Sequence, residues 1–118
     1  MPYVDGFVLA VQTDRLDEYK KIAKTAGEVW MDHGALSYVE CIADDVPNGE
    51  LTSFPRAVQQ KDGESVVFSW ITYKSREHRD AVNEKAMADP RLDQMDMSKA
   101  PFDGKRMIYG GFQTLLEF

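Results

Sequence analysis

The uncharged stretch Ser65-Val66-Val67-Phe68-Ser69-Trp70-Ile71-Thr72-Tyr73 limits what this chain can fold into more than any other part of it. It is β-branched and aromatic nearly throughout, which suits a strand. Read with a period of two, one side carries Val66, Phe68, Trp70 and Thr72, and the other Val67, Ser69, Ile71 and Tyr73. A strand in a half-solvated sheet shows one apolar and one polar side. This one is apolar on both, so it requires cover above and below.

The flanking segments supply partners for it. Tyr3 to Gln12 reads as a first strand, again apolar on both sides except where Asp5 and Gly6 interrupt it. Thr13 or Asp14 is placed to cap a helix running to about His33. Its apolar stripe is Leu16, Tyr19, Ile22, Ala23, Ala26, Val29, Trp30 and His33, and Gly34 is placed to end it. Ala35 to Ala43 reads as the second strand, followed by the turn formers Asp44 to Glu50. Over Leu51 to Gln60 the pattern is weak, and Ala57 to Gln60 with a turn at Lys61-Asp62-Gly63-Glu64 predicts a hairpin leading into the third strand.

After Tyr73, Ser75 is a candidate N-cap for a second helix that should stop before Asp89-Pro90. His78, Ala81, Val82, Lys85 and Ala86 form its expected inner stripe. Leu92 to Met97 predicts a short helical turn, Pro101 to Gly104 a loop turn, and Arg106 to Phe118 a long last strand. Gly110-Gly111 within that strand implies a bulge, or the close approach of another backbone or a ligand.

The order strand, helix, strand, strand, helix, strand is that of the ferredoxin-like fold: α+β, with a four-stranded antiparallel sheet. Right-handed crossovers put the first and third strands in the centre. At 118 residues the chain has room for a single domain, residues 1–118. Two helices cover only one face of such a sheet. The other face would expose large apolar side chains, so a homodimer packed sheet to sheet, a dimeric α/β barrel, is expected.

Composition excludes several function classes. Fourteen basic against twenty acidic residues leave a net charge of −6, which disfavours a nucleic-acid or RNA-related role. No stretch is long and apolar enough to span a membrane, and a cytoplasmic location is the expectation. Cys41 is alone, which leaves no intrachain disulfide, and its strand position reads as a buried inert thiol. Two histidines with no matching carboxylate spacing point to no metal site, and no cofactor motif is recognisable.

The residues that draw attention are polar or aromatic groups in apolar settings. Trp30, Trp70 and Tyr109 read first as core aromatics, with the lining of a cavity between sheet and helices as the rival reading. Asp5 and Glu40 interrupt strands that should be buried, so each needs a hydrogen-bonding or cationic partner, with Arg56 and Arg106 as candidates. His33 reads as a histidine satisfied at a helix C-terminus, with a catalytic base as the rival reading. His78 reads as structural. Asp103 reads as a turn residue, with Phe102 and Arg106 beside it at a pocket mouth.

Tyr3-Val4-Asp5-Gly6-Phe7, Val39-Glu40-Cys41, Asp44-Asp45-Val46-Pro47, Phe68-Ser69-Trp70 and the run Pro101 to Phe112 resemble the YbaA-like bacterial family. That family is a domain of unknown function in the dimeric α/β-barrel superfamily. The resemblance covers nearly the whole chain and implies the same ferredoxin-like homodimer. It brings no reaction with it, and the wider superfamily spans cofactor-free monooxygenases, haem enzymes and stress-induced proteins. The functional expectation is a pocket for a small apolar or aromatic molecule. If the protein is an enzyme, the chemistry expected is cofactor-free oxygenation or isomerisation, with His33, Arg56, Trp70 and Tyr109 as candidate catalytic residues. The alternative is a non-catalytic stress or interaction protein whose dimer surface is the function.

Overall fold

The structure is a computed structural model describing residues Met1 to Phe118. Four strands, β1 (Tyr3–Gln12), β2 (Ser37–Ile42), β3 (Glu64–Tyr73) and β4 (Ile108–Gln113), form one antiparallel sheet in the order β2-β3-β1-β4. β1 and β3 pair along their full length, from Tyr3 opposite Tyr73 to Gln12 opposite Glu64. The two strands that are apolar on both sides therefore lie in the middle, as the crossover rule requires. No helix is long and apolar enough to cross a membrane.

The long helices α1 (Leu16–Asp32) and α3 (Arg76–Met87) cover one face. Under α3, Val82 packs with Tyr3, Ile71, Tyr73 and Ala35, and under α1, Tyr19 packs with Leu9, Val11 and Val67. The helix side of the sheet is thus Tyr3, Asp5, Phe7, Leu9 and Val11 from β1, with Val67, Ser69, Ile71 and Tyr73 from β3. Gly34 ends α1 with a φ of +111°, a conformation that L side chains rarely adopt. Ser75 caps α3 by accepting from the His78 N–H at 3.0 Å.

The other face is only partly covered. Val58 folds under one end of it, against Val8, Ala10 and Val66. Beyond that patch Phe68 is 42% exposed and Phe112 63% exposed. Phe54, Phe68 and Trp70 make an aromatic row across this face, with ring centroids 5.8 and 5.6 Å apart. Cys41, opposite Phe68 on edge strand β2, lies on the same side and is exposed. The expectation of a buried thiol is corrected for that reason.

Several local expectations are corrected as well. Thr13 does not cap α1: Thr13–Arg15 forms a single 3-10 turn, the Thr13 hydroxyl bonds that of Ser65 at 2.7 Å, and α1 begins without a side-chain cap. No hairpin forms before β3. Instead Phe54–Ala57 is a one-turn helix, α2, capped by Ser53. The Ala57, Gln59 and Gln60 N–H groups donate to the carbonyls of Ser53, Arg56 and Pro55, and Arg106 takes the carbonyls of Val58 and Gln59. The polar backbone groups a hairpin would need are already satisfied. After α3 comes the short helix α4 (Pro90–Asp93), capped by Asp89, and then a 3-10 turn at Met97–Lys99.

The last strand is shorter than its pattern. β4 ends at Gln113 because its neighbour β1 starts at Tyr3; the Thr114 N–H makes one more bond, to the Pro2 carbonyl at 3.3 Å. Register against β1 is unbroken through Gly110 and Gly111, so there is no bulge. The close approach is what the structure contains. A Cβ on Gly111 would fall onto the Arg79 guanidinium and the Tyr3 hydroxyl.

Candidate functional site

Between the sheet and helices α1, α3 and α4 lies a cavity of about 740 Å³. Its walls are largely apolar, with Phe7, Leu9 and Ile71 from the sheet and Trp30 from α1. Four of the six methionines, Met87, Met95, Met97 and Met107, also line it, and unbranched thioethers adapt readily to ligand shape. Against these walls stand a few polar groups, the usual composition of a small-molecule site.

The first polar group is at the centre of the sheet. Period-two alternation turns Asp5 toward the helices between Tyr3 and Phe7, opposite Ile71 on one side and Gly111 on the other. It is only 8% exposed. Arg79, in the first turns of α3, lies with Nε 3.3 Å from Asp5 Oδ1. This is ion-pair distance, but the Nε–H is not aligned on the carboxylate and has no hydrogen-bond acceptor. The rest of the guanidinium is engaged: it donates to the Tyr3 hydroxyl at 3.0 Å and to Asp80 at 3.1 Å, and sits 4.9 Å from the Tyr3 ring centroid. Burial raises the Asp5 pKa above the ordinary aspartate value, and Arg79 and the Tyr73 hydroxyl only partly oppose it.

Beside this pair, the Asn83 amide oxygen accepts from the Trp30 indole N–H at 2.9 Å and the Tyr73 hydroxyl at 3.3 Å. The indole can only donate, which fixes the amide orientation. The third group is Glu40 on β2. Its two oxygens accept from the Tyr19 hydroxyl at 2.7 Å and the Tyr38 hydroxyl at 2.8 Å. Burial first, and then the Glu40 charge, push both phenols well above their usual pKa, so they stay protonated.

The residues singled out by sequence are dispersed. Tyr109 lines the cavity at its mouth, 72% exposed and stacked on Phe7 at 6.4 Å, and Trp30 lines it deeper in. Trp70 points to the opposite face of the sheet. His33 caps the end of α1, its Nε2 2.8 Å from Asp89 Oδ2. Arg56 binds the carbonyls of Asn48 and Gly49 at 2.8 and 3.0 Å and ties down its own loop. His78 accepts the Lys74 N–H at 2.9 Å on Nδ1, a structural role. Asp103 accepts the Lys105 N–H at 2.9 Å as a turn residue should. Phe102 lines the cavity, whereas Arg106 faces a separate polar cleft.

The partners expected for Asp5 and Glu40 are also corrected. Asp5 pairs with Arg79, and Glu40 with two tyrosines, because Arg106 is committed to Glu64 at 2.6 and 2.8 Å and Arg56 to its loop. On α3 the expected inner positions Val82 and Ala86 are buried, and Arg79 and Asn83 stand beside them in place of Ala81 and Lys85. Ala81 and Lys85 are exposed, and the stripe is Arg79, Val82, Asn83 and Ala86. Polar residues at the i and i+4 positions of an otherwise apolar stripe were the available signal.

The family model described as protein of unknown function (DUF1428) matches residues 2–104. The chain belongs to that family. Within reach of DUF1428 it is similar to the uncharacterized protein YbaA of Escherichia coli K12, 52% identical over 117 residues that cover 99% of each chain, and equally to YbaA of Shigella flexneri. Among solved structures it is similar to Rv0793 of Mycobacterium tuberculosis, with a TM-score of 0.59 at 12% identity over 99% of this chain and 98% of that one. A NIPSNAP domain protein of Burkholderia xenovorans matches with a TM-score of 0.56 at 15% identity over 95% and 93%. A dimeric ferredoxin-like protein from an uncultured marine organism matches with a TM-score of 0.59 at 12% identity over the whole of both chains. At such identities these likenesses establish the ferredoxin-like fold alone.

Proposed function

We propose that this DUF1428 chain is one subunit of a homodimer, joined through the open face of its sheet, and that the helix-side cavity binds a small apolar or aromatic molecule on which Asp5 acts as a general base. The observation that carries the reading is the Asp5–Arg79 pair set into an apolar cavity. A carboxylate whose pKa is raised by burial is a better proton acceptor near neutral pH. A guanidinium next to it stabilises the anion left behind. Removal of a proton from carbon beside a carbonyl, and its return at another carbon, is isomerisation without a cofactor. The same deprotonation opens cofactor-free oxygenation, in which the substrate carbanion itself gives electrons to dioxygen.

Native mass spectrometry of the purified protein tests this. The expected spectrum is a dimer that retains a small molecule, or takes up added aromatic ligands at one per subunit. A bare single-chain mass that accepts no ligand overturns it.

The rival reading, a non-catalytic interaction protein, is favoured by the row Phe54, Phe68 and Trp70 on the uncovered face. Exposed aromatics of this kind mark an interaction surface. In the dimer reading, Phe68→Asp puts a carboxylate in the middle of a self-complementary interface, once from each subunit. It should weaken association at least about a hundredfold, as loss of an interface hot spot does. Light scattering across a dilution series checks it; an unchanged dimer would place the interface elsewhere.

A further inference from the structure

We infer that the cavity ligand carries an ammonium group, held against Glu40 and surrounded by aromatic rings. This rests on the small-molecule reading above and adds the chemical class of the ligand. Glu40 is a carboxylate without a cation. Tyr19 and Tyr38 each give one hydrogen bond, to different oxygens, at 2.7 and 2.8 Å. A carboxylate has about four acceptor sites, so both oxygens keep capacity to spare. A partly buried charge that lacks its counter-charge is an unfavourable arrangement unless something else supplies one.

Nothing in the protein does so. Arg79 is the only basic residue lining the cavity, and its charge already lies 3.3 Å from Asp5 and 3.1 Å from Asp80, although its Nε–H has no acceptor. The lining otherwise contributes three acids, Asp5, Glu40 and Asp93. Lys20 and Lys24 line the neighbouring groove between α1 and β2, of which Glu40 is also a wall, and neither pairs with it. The charge balance inside therefore selects a cation and disfavours a second anion. The rings fit the same guest: Phe7, Tyr19, Trp30, Tyr38, Phe102 and Tyr109 all line this one space. Aromatic faces attract organic ammonium groups, most strongly where water is excluded. The methionine-rich part of the lining suits the apolar remainder of the molecule.

The test uses three probes of nearly the same shape, 2-phenylethylamine, 2-phenylethanol and 3-phenylpropanoate, titrated into the dimer while the Trp30 indole N–H resonance is followed. The amine should bind about tenfold tighter than the alcohol, the scale of one charge-assisted hydrogen bond, and the carboxylate weakest. Glu40→Gln should bring amine and alcohol to within about threefold of each other, while Tyr38→Phe, which leaves the charge in place, keeps the preference. If amine and alcohol bind alike, or the carboxylate binds best, the ammonium assignment is wrong and the pocket stands. If no probe shifts the indole resonance, the pocket reading fails and the assignment with it.

Discussion

Gly111→Ala should cost the fold about 3 kcal/mol, while Gly110→Ala, one residue away, should be neutral or slightly stabilising. Neither glycine has a positive φ, so backbone strain does not separate them. Space does. At Gly110 an added Cβ meets the Phe112 ring at 3.6 Å, an ordinary contact on the open face. There the methyl mainly reduces the freedom of the unfolded chain. At Gly111 the Cβ falls onto the Arg79 guanidinium and the Tyr3 hydroxyl and comes within 2.8 Å of the Tyr3 ring carbon Cε2. Tyr3 is buried, so the ring has little room to retreat. Arg79 can move only by leaving Asp5, and an abandoned carboxylate at the centre of the sheet is the expensive result. Urea unfolding of the two variants decides the matter: equal stability would mean that the space behind Gly111 is not filled as described.

That pair of glycines also marks the boundary of what the sequence made legible. Gly110-Gly111 announced a close approach, and the approach is real, but the atoms responsible come from residues more than thirty and a hundred positions earlier in the chain. Long-range partners of this kind leave no local pattern. The fold was readable because its determinants are local and repeated. Strands apolar on both sides had to be central, the α1 stripe is continuous, and Ser75 and Gly34 mark helix ends by chemistry that acts within a few residues. The site was readable only as a need. Asp5 and Glu40 stood out as charges in buried strands, yet what satisfies them depends on how α1 and α3 are rotated over the sheet. The expected α3 stripe holds Val82 and Ala86 correctly but takes in Ala81 and Lys85 where Arg79 and Asn83 belong. Trp70 illustrates the opposite error: an aromatic in a two-sided apolar strand carries no label saying which side the helices occupy.

A related asymmetry explains why the loop between β2 and β3 resisted reading. Its last part, Val58 and Gln59, is held by Arg106, which arrives from beyond α4. The guanidinium donates to the Gln59 carbonyl at 2.9 Å and the Val58 carbonyl at 3.4 Å, and so holds Val58 beneath Val8, Ala10 and Val66. A turn of backbone that presents carbonyls to a distant arginine has no signature in its own residues.

Arg106→Met should therefore cost about 3 kcal/mol and loosen residues 51 to 63 as well. The side chains of Arg106 and Glu64 are 13% and 8% exposed and meet through two nearly parallel bonds of 2.8 and 2.6 Å, the strong bidentate geometry. Methionine keeps most of the volume but leaves Glu64 charged and without its partner. The double variant Arg106→Met/Glu64→Leu removes that orphaned charge and should recover more than half of the loss, since an apolar pair often replaces a buried ion pair at little cost. What it does not recover reports the Val58 and Gln59 carbonyls together with the Asp103 contact and the Lys61 N–H that Glu64 also accepts. Acidity gives an independent check. Arg106 is the main cause of a Glu64 pKa held below the ordinary 4.5. A depressed folded-state value means the stabilisation is complete above about 4.5 and disappears as pH falls through the lower, folded-state value. The stability gap between wild type and Arg106→Met should thus be full at neutral pH and shrink on acidification below about 4.5. A gap that stays constant down to pH values where carboxylates are protonated would show that the arginine acts through the backbone carbonyls alone.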